Sequence, residues 1–296
     1  MPSPNALERL VRHLSLEIGP RPYLRPQTLE KTRDFIVEEF KGHNRSIYLQ
    51  DYTVGGKRYS NVVCSRLPFK AYKAYKRPLL VIGAHYDTVS FTPGADDNAS
   101  GIAGLLELSR AMGDDLPEEV LLVAFTLEEP PFYRTRNMGS YRFARLLKRM
   151  GVRLMGMICL EMIGYFSDRP QSQHFPLPLM DKVYPSTGNF IALVGNIWSK
   201  AFTQQVEAAF KRADTIPVYS LNAPFLVFGV DLSDHWSFYK CGFKAVMVTD
   251  TAFYRNPNYH RPTDLPETLD YKRMAAVVAA LKRAVEELTG SGGETG

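Results

Sequence analysis

Five short runs constrain this chain more than anything else in it: Leu79–Gly83 (LLVIG), Glu119–Leu127 (EVLLVAFTL), Val152–Met162, Phe190–Gly195 (FIALVG) and Phe243–Thr249 (FKAVMVT). Each is almost continuously apolar rather than alternating, which is the pattern of strands covered on both faces. Stretches with helical spacing separate them: Ile102–Met112, Met138–Met150 and Ser199–Arg212. Strand and helix patterns in alternation predict an α/β fold, a largely parallel, mixed and twisted sheet with helices on both faces. A chain of 296 residues admits one large domain or two small ones. With no linker or internal repeat, one domain over residues 1–288 is expected, followed by a disordered tail, Thr289–Gly296.

The remaining segments fit around that frame. Leu7–Ile18 and Gln27–Lys41 read as surface helices split by the Gly-Pro-Arg-Pro break at 19–22, with His13 on the exposed side. Ser46–Val54 and Arg58–Leu67 read as a hairpin turning at Gly55-Gly56. Gly164–Gly188, which contains His174, is a long proline-rich loop of the kind that covers a crevice. Thr215–Leu221 reads as a short strand, Asp231–Gly242 as a capped short helix, and Leu265–Leu288 mostly as one closing helix.

Charge and cysteine content narrow the class. The net charge of +5 reads as spread over the chain, and the densest basic cluster (Lys70, Lys73, Lys76, Arg77) as a solvated loop, so no nucleic-acid partner is expected. No apolar run has membrane-spanning length and the N-terminus lacks a signal peptide's apolar core, so no membrane partner is expected. Cys64, Cys159 and Cys241 have neither disulfide-framework nor metal-ligand spacing and read as small hydrophobes. Together these features predict a cytoplasmic protein; oligomeric state is not legible.

Chemistry-bearing residues gather just past the predicted strand ends: His85, Asp97, Glu128-Glu129, Glu161 and His260. Strand ends of an open α/β sheet face its ligand crevice, and unpaired charges there are costly. Asp87, two residues beyond His85, can accept the imidazole's second N–H and fix its tautomer. Asp96, Asp97 and Asn98 stand before a helix, where they can cap it or deliver a carboxylate to the crevice. Two histidines with several carboxylates form a zinc-type ligand set. In the Glu-Glu doublet, one carboxylate can bind metal while its neighbour handles a proton.

In this order the stretches AHYDT, GADDNASG, the EE doublet, LEMIG and YHRPTD resemble the co-catalytic zinc exopeptidases of metallopeptidase family 28, over about residues 55–285. That family includes aminopeptidases, glutamate carboxypeptidase-type enzymes and glutaminyl cyclases. The resemblance implies two zinc ions. His85 and Glu161 would hold one and Glu129 and His260 the other, with Asp97 bridging them before a cis peptide bond. Glu128 would be the general base and Asp87 would orient His85. Most members carry aspartate where Glu161 stands, which bears on that ion's spacing and occupancy. Arg255 would be the arginine to hold a substrate carboxylate if the enzyme cut at a C-terminus, with Tyr254 beside it. Asp234 and His235 would line the pocket, or Asp234 would cap its helix. The implied partner is a peptide or aminoacyl substrate and the leading activity is aminopeptidase. A single-zinc glutaminyl cyclase and a non-catalytic binding protein are the alternatives. Arg134 and Arg136, after Pro130-Pro131, fit none of these roles.

Overall fold

The computed structural model describes residues 1–224 and 227–291. Its elements follow in the order α1 (Pro4–Arg12), α2 (Pro26–Phe40), β1 (Ser46–Val54), β2 (Lys57–Ser65), β3 (Leu79–His85), α3 (Gly101–Met112), β4 (Val120–Phe125), α4 (Gly139–Met150), β5 (Leu154–Leu160), β6 (Ile191–Asn196), α5 (Lys200–Ala213), β7 (Val218–Ala223), α6 (His235–Lys240), β8 (Ala245–Thr249) and α7 (Tyr271–Thr289). All eight strands form one sheet in the order β1-β2-β4-β3-β5-β8-β6-β7. The central strands β4, β3, β5 and β8 run parallel. The β1–β2 hairpin joins antiparallel at one edge, and β6–β7, parallel to each other, join β8 antiparallel at the other. The architecture is thus a single α/β domain on a mixed sheet.

The apolar runs behave as their composition requires. Every residue of β3, β4 and β8 is buried. Two apolar layers clothe the sheet. One centres on α1, α3, α5 and α7 and includes Leu105, Leu108, Phe202, Phe210, Val278 and Leu281. The other lies under α4 and α6 and includes Phe125, Phe143, Leu147 and Phe238. Neighbouring strands pack tightly at Gly83 of β3, where a Cβ would stand 2.3 Å from the ring of Phe125 at the end of β4.

Several boundaries differ from the sequence pattern for local reasons. The first helix begins at Pro4, capped by Ser3, and runs on through a wider turn, His13–Ile18. Pro266 starts a separate short turn, so the closing helix begins at Tyr271 under an Asp270 cap and ends at Thr289, which is buried. The rest of the expected tail, 292–296, lies outside the described residues. The three cysteines are buried and unpaired. Among the described residues, no helix is long and apolar enough to cross a membrane.

Candidate metal centre

Five chain segments bring the predicted ligands to the C-terminal edge of the parallel strands. His85 closes β3. Glu128 and Glu129 follow β4 after Leu127, and Glu161 follows β5 just before Met162; Leu127 and Met162 have positive φ (61° and 50°) and turn the chain sharply. Asp97 sits in the turn entering α3, with a cis peptide bond to Asn98. Gly94 makes that turn possible: its φ is 63° and a Cβ would lie 2.4 Å from the Asp97 carbonyl oxygen. His260 comes from the loop after β8, also at positive φ (56°).

The side chains form two groups that share Asp97. His85, Asp97 and Glu161 make one, and Asp97, Glu129 and His260 the other, with the donor atoms of each within 4.8 Å of one another. His85 Nε2 lies 3.2 Å from Glu161 Oε2 and 3.5 Å from Asp97 Oδ1. His260 Nε2 lies 3.1 Å from Asp97 Oδ2 and 3.4 Å from Glu129 Oε2. Ligands about 2.05 Å from a tetrahedral zinc are about 3.3 Å apart, so these spacings fit its edges. Asp97 turns one oxygen to each group, the disposition of a bridging carboxylate. Glu129 Oε1 is buried without a hydrogen-bond partner, a cost that a cation would offset. The residues present therefore fit a pair of zinc ions.

Electrostatics point the same way. Asp97, Glu128, Glu129 and Glu161 are buried together beside buried Asp87. Burial raises Glu128 well above the carboxylate range, with Glu129 and Glu161 adding to the rise, and burial pushes Glu129 up to about 7. Burial also acts upward on Asp97, but hydrogen bonds to His260 and His85 outweigh it and hold the carboxyl low. Burial opposes a charged His260, yet Asp97 and Glu129 raise it to about 10. The carboxylates gathered here favour a cation at this edge of the sheet.

Two further carboxylates hold the backbone beneath the ligands. The Asp87 carboxylate accepts the amides of Glu128 (3.1 Å) and Glu129 (3.0 Å). Its expected bond to the imidazole is made by its main chain instead: His85 Nδ1 is 3.1 Å from the Asp87 carbonyl oxygen and 3.6 Å from the carboxylate. Asp264 accepts the amides of Asp96 (2.9 Å) and Asp97 (3.1 Å) in the same manner. Asn98 caps α3 through Gly101 N–H (3.1 Å) and donates to the Leu160 carbonyl (2.9 Å). Ser233 donates to Glu161 Oε2 (2.6 Å) and so steadies the longer glutamate arm. Asp264 lay inside a quoted motif without a role, and Ser233 had no sequence signal, because its role depends on a contact 72 residues away.

Beside the centre opens an apolar cavity reached by Glu161. The 164–188 segment, β6–β7 and the 251–254 loop wall it, with Phe175, Tyr184, Phe190, Tyr219, Met247 and Tyr254 among the lining residues. Three expected pocket residues are placed elsewhere. Arg255 is buried behind the wall, donating to Gln173 Oε1 and the Phe190 carbonyl (2.8 Å each) with its guanidinium over the Phe190 ring, so it is not presented to a substrate. His235 is buried with Nε2 2.8 Å from the Val230 carbonyl oxygen. Asp234 is fully buried beneath the centre and makes no side-chain cap. Both left the cavity because α6 starts at His235 and turns its first residues into the core.

The family model described as Peptidase family M28 matches residues 62–285, and the chain belongs to this family of peptidases. The chain is 43% identical over 285 residues to a protein of Escherichia coli (strain K12) named "Uncharacterized protein YfbL", covering 93% of this chain and 85% of that one. A probable leucine aminopeptidase of Arthroderma otae is 26% identical over 208 residues, 66% of this chain and 49% of the fungal one. Among solved structures, the zinc aminopeptidase BSAP of Bacillus subtilis superposes with a TM-score of 0.75 at 14% identity, covering 97% of this chain and 95% of that one. The glutaminyl cyclase of Fimbriiglobus ruber superposes with a TM-score of 0.71 at 20% identity, covering 96% and 95%. These superpositions establish the shared fold.

Proposed function

We propose that this peptidase-family chain is a two-zinc aminopeptidase that removes apolar N-terminal residues from peptides. The observation that carries the reading is Asp97, whose oxygens face His85 at 3.5 Å and His260 at 3.1 Å and so offer each metal group a share of one carboxylate. Bound zinc would supply an acidified water and a polarised scissile carbonyl at this edge of the sheet. The chain's own groups do the rest. Glu128, 6% exposed and raised by burial, takes a proton from the attacking water and returns it to the leaving amine. Asp87 and Asp264 keep the doublet and Asp97 in place. The apolar cavity beside the centre takes the first side chain. No lysine or arginine lines that cavity among the described residues, which argues against a carboxypeptidase needing a cation for the terminal carboxylate. Three unpaired thiols accord with a reducing, cytoplasmic setting.

Metal analysis with a panel of aminoacyl chromogenic substrates tests the proposal. Two zinc ions per chain and fastest release from leucyl or aromatic substrates are expected. One ion with ammonia released from N-terminal glutaminyl peptides would instead establish the cyclase. Glu128→Gln should abolish turnover with both ions retained; an unchanged rate removes its assigned role.

A further inference from the structure

Between Glu129 and Glu161 the chain has no acidic residue, while Arg134, Arg136, Arg142, Arg145, Lys148, Arg149 and Arg153 all fall in that interval. The other long helices balance their cations locally: Arg12–Glu8 on α1, Arg33–Asp34 on α2, Arg110–Glu107 on α3, Lys211–Glu207 on α5 and Lys282–Glu286 on α7. Helix α4 has no such partner. Its Arg145, Lys148 and Arg149 share a face with Tyr141, and with Arg136 and Lys240 from separate segments they line one groove floored by Cys241. These five cations are exposed, and no carboxylate lines the groove or pairs with any of them among the described residues. Residues as far apart in the sequence as Arg136 and Lys240 are thus brought together with no carboxylate among them. Arg134 is excluded from the set because it pairs with Asp231.

A role in offsetting the helix dipole accounts for Lys148 and Arg149 in the last turn of α4, but not for Arg136, Arg145 or Lys240. Gathering like charges costs self-repulsion that an anion would relieve. We propose that this groove binds an anion carrying two or more linked phosphates, at a site separate from the metal centre. Arg145, Lys148 and Arg149 lie within about 6 Å along the helix axis. A linked phosphate chain concentrates several charges over that distance. An extended acidic peptide places carboxylates of one side about 7 Å apart and meets fewer of the cations. Arginine forks add bidentate hydrogen bonds to phosphate oxygens.

The test titrates the zinc-loaded protein calorimetrically with inorganic tripolyphosphate, with ADP in a second arm and a glutamate-rich peptide in a third. The native chain should bind tripolyphosphate more weakly as salt rises. Arg145→Ala/Arg149→Ala should weaken binding about tenfold or more, with unfolding temperature and peptidase rate unchanged. Lys148→Ala/Lys240→Ala should reproduce the loss. ADP binding as tightly as tripolyphosphate would assign a nucleotide source, and tripolyphosphate alone an inorganic one. Equal affinity in native and variant proteins would place binding at the metal centre and overturn the proposal. No binding to the native chain, or equally tight binding of the acidic peptide, would also overturn it.

Discussion

Replacing Arg21 by methionine should destabilise the protein by about 3 kcal/mol and loosen the metal centre with it. Arg21 is 1% exposed and faces carbonyl oxygens throughout: Nε donates to Tyr86 (2.8 Å), Nη1 to Leu14 (2.8 Å), Gly19 (3.0 Å) and Pro93 (3.0 Å), and Nη2 to Gly94 (3.0 Å). Nη1 has two N–H groups to share among its three acceptors, so four N–H groups are engaged; at about 1.5–3 kcal/mol for each bond from a charged donor they amount to about 6 kcal/mol at the low end. Against this stands the cost of burying the cation. Burial lowers the guanidinium to about 10, partly countered by Asp264 and Asp87, which corresponds to about 3 kcal/mol. The difference leaves about 3 kcal/mol, or roughly 9 °C in unfolding temperature for a domain of this size. Urea and thermal unfolding measure it directly. Three of the five carbonyls lie between His85 and Asp97, so zinc content should fall as well, and Arg21→Lys should recover part of both losses. A methionine variant within about 1 kcal/mol of the native protein would refute the reasoning, since it would mean the five contacts do no more than repay the buried charge.

Asp87→Asn and Asp264→Asn each set an amide NH2 against one of two backbone N–H groups, at a cost of about 2 kcal/mol. Because Asp97 serves both groups of ligands, Asp264→Asn should reduce occupancy of both zinc ions, whereas Asp87→Asn should affect mainly the Glu129 side; metal content separates the two, and identical losses would contradict this division. His235 gives a pH signature. Burial lowers its pKa to about 4 from 6.5, so the unfolded chain binds the extra proton between those values and stability falls as pH drops from 6.5 to 4. The loss amounts to about 3 kcal/mol, and His235→Gln should flatten that limb of a stability–pH curve; an unaltered limb would assign the acid sensitivity elsewhere.

How far a residue's place could be read depended on how local its cause is. A run such as Val120–Phe125 declares a buried strand because every side chain must be apolar, and its neighbours leave no other use for it. The likeness of five spaced motifs to one family likewise points to His85, Asp97, Glu129, Glu161 and His260. Arg255, by contrast, has the composition of a substrate clamp, and only its contacts with Gln173 and Phe190 reveal a strut behind the cavity wall. Asp234 and His235 depart from the pocket-lining expectation for a similar reason: the direction in which a six-residue helix starts is decided by packing, not by its own letters.

By itself, then, the order of residues determined the α/β class, the strand runs and which side chains have metal chemistry, since these follow from hydrophobic periodicity and donor type. Tertiary structure alone decided which carboxylate grips which amide, that Ser233 meets Glu161, and that cations from α4, α6 and the loop after the doublet share one groove. Those outcomes rest on distances of a few ångströms between segments tens of residues apart, a scale that only the closed packing of the core sets.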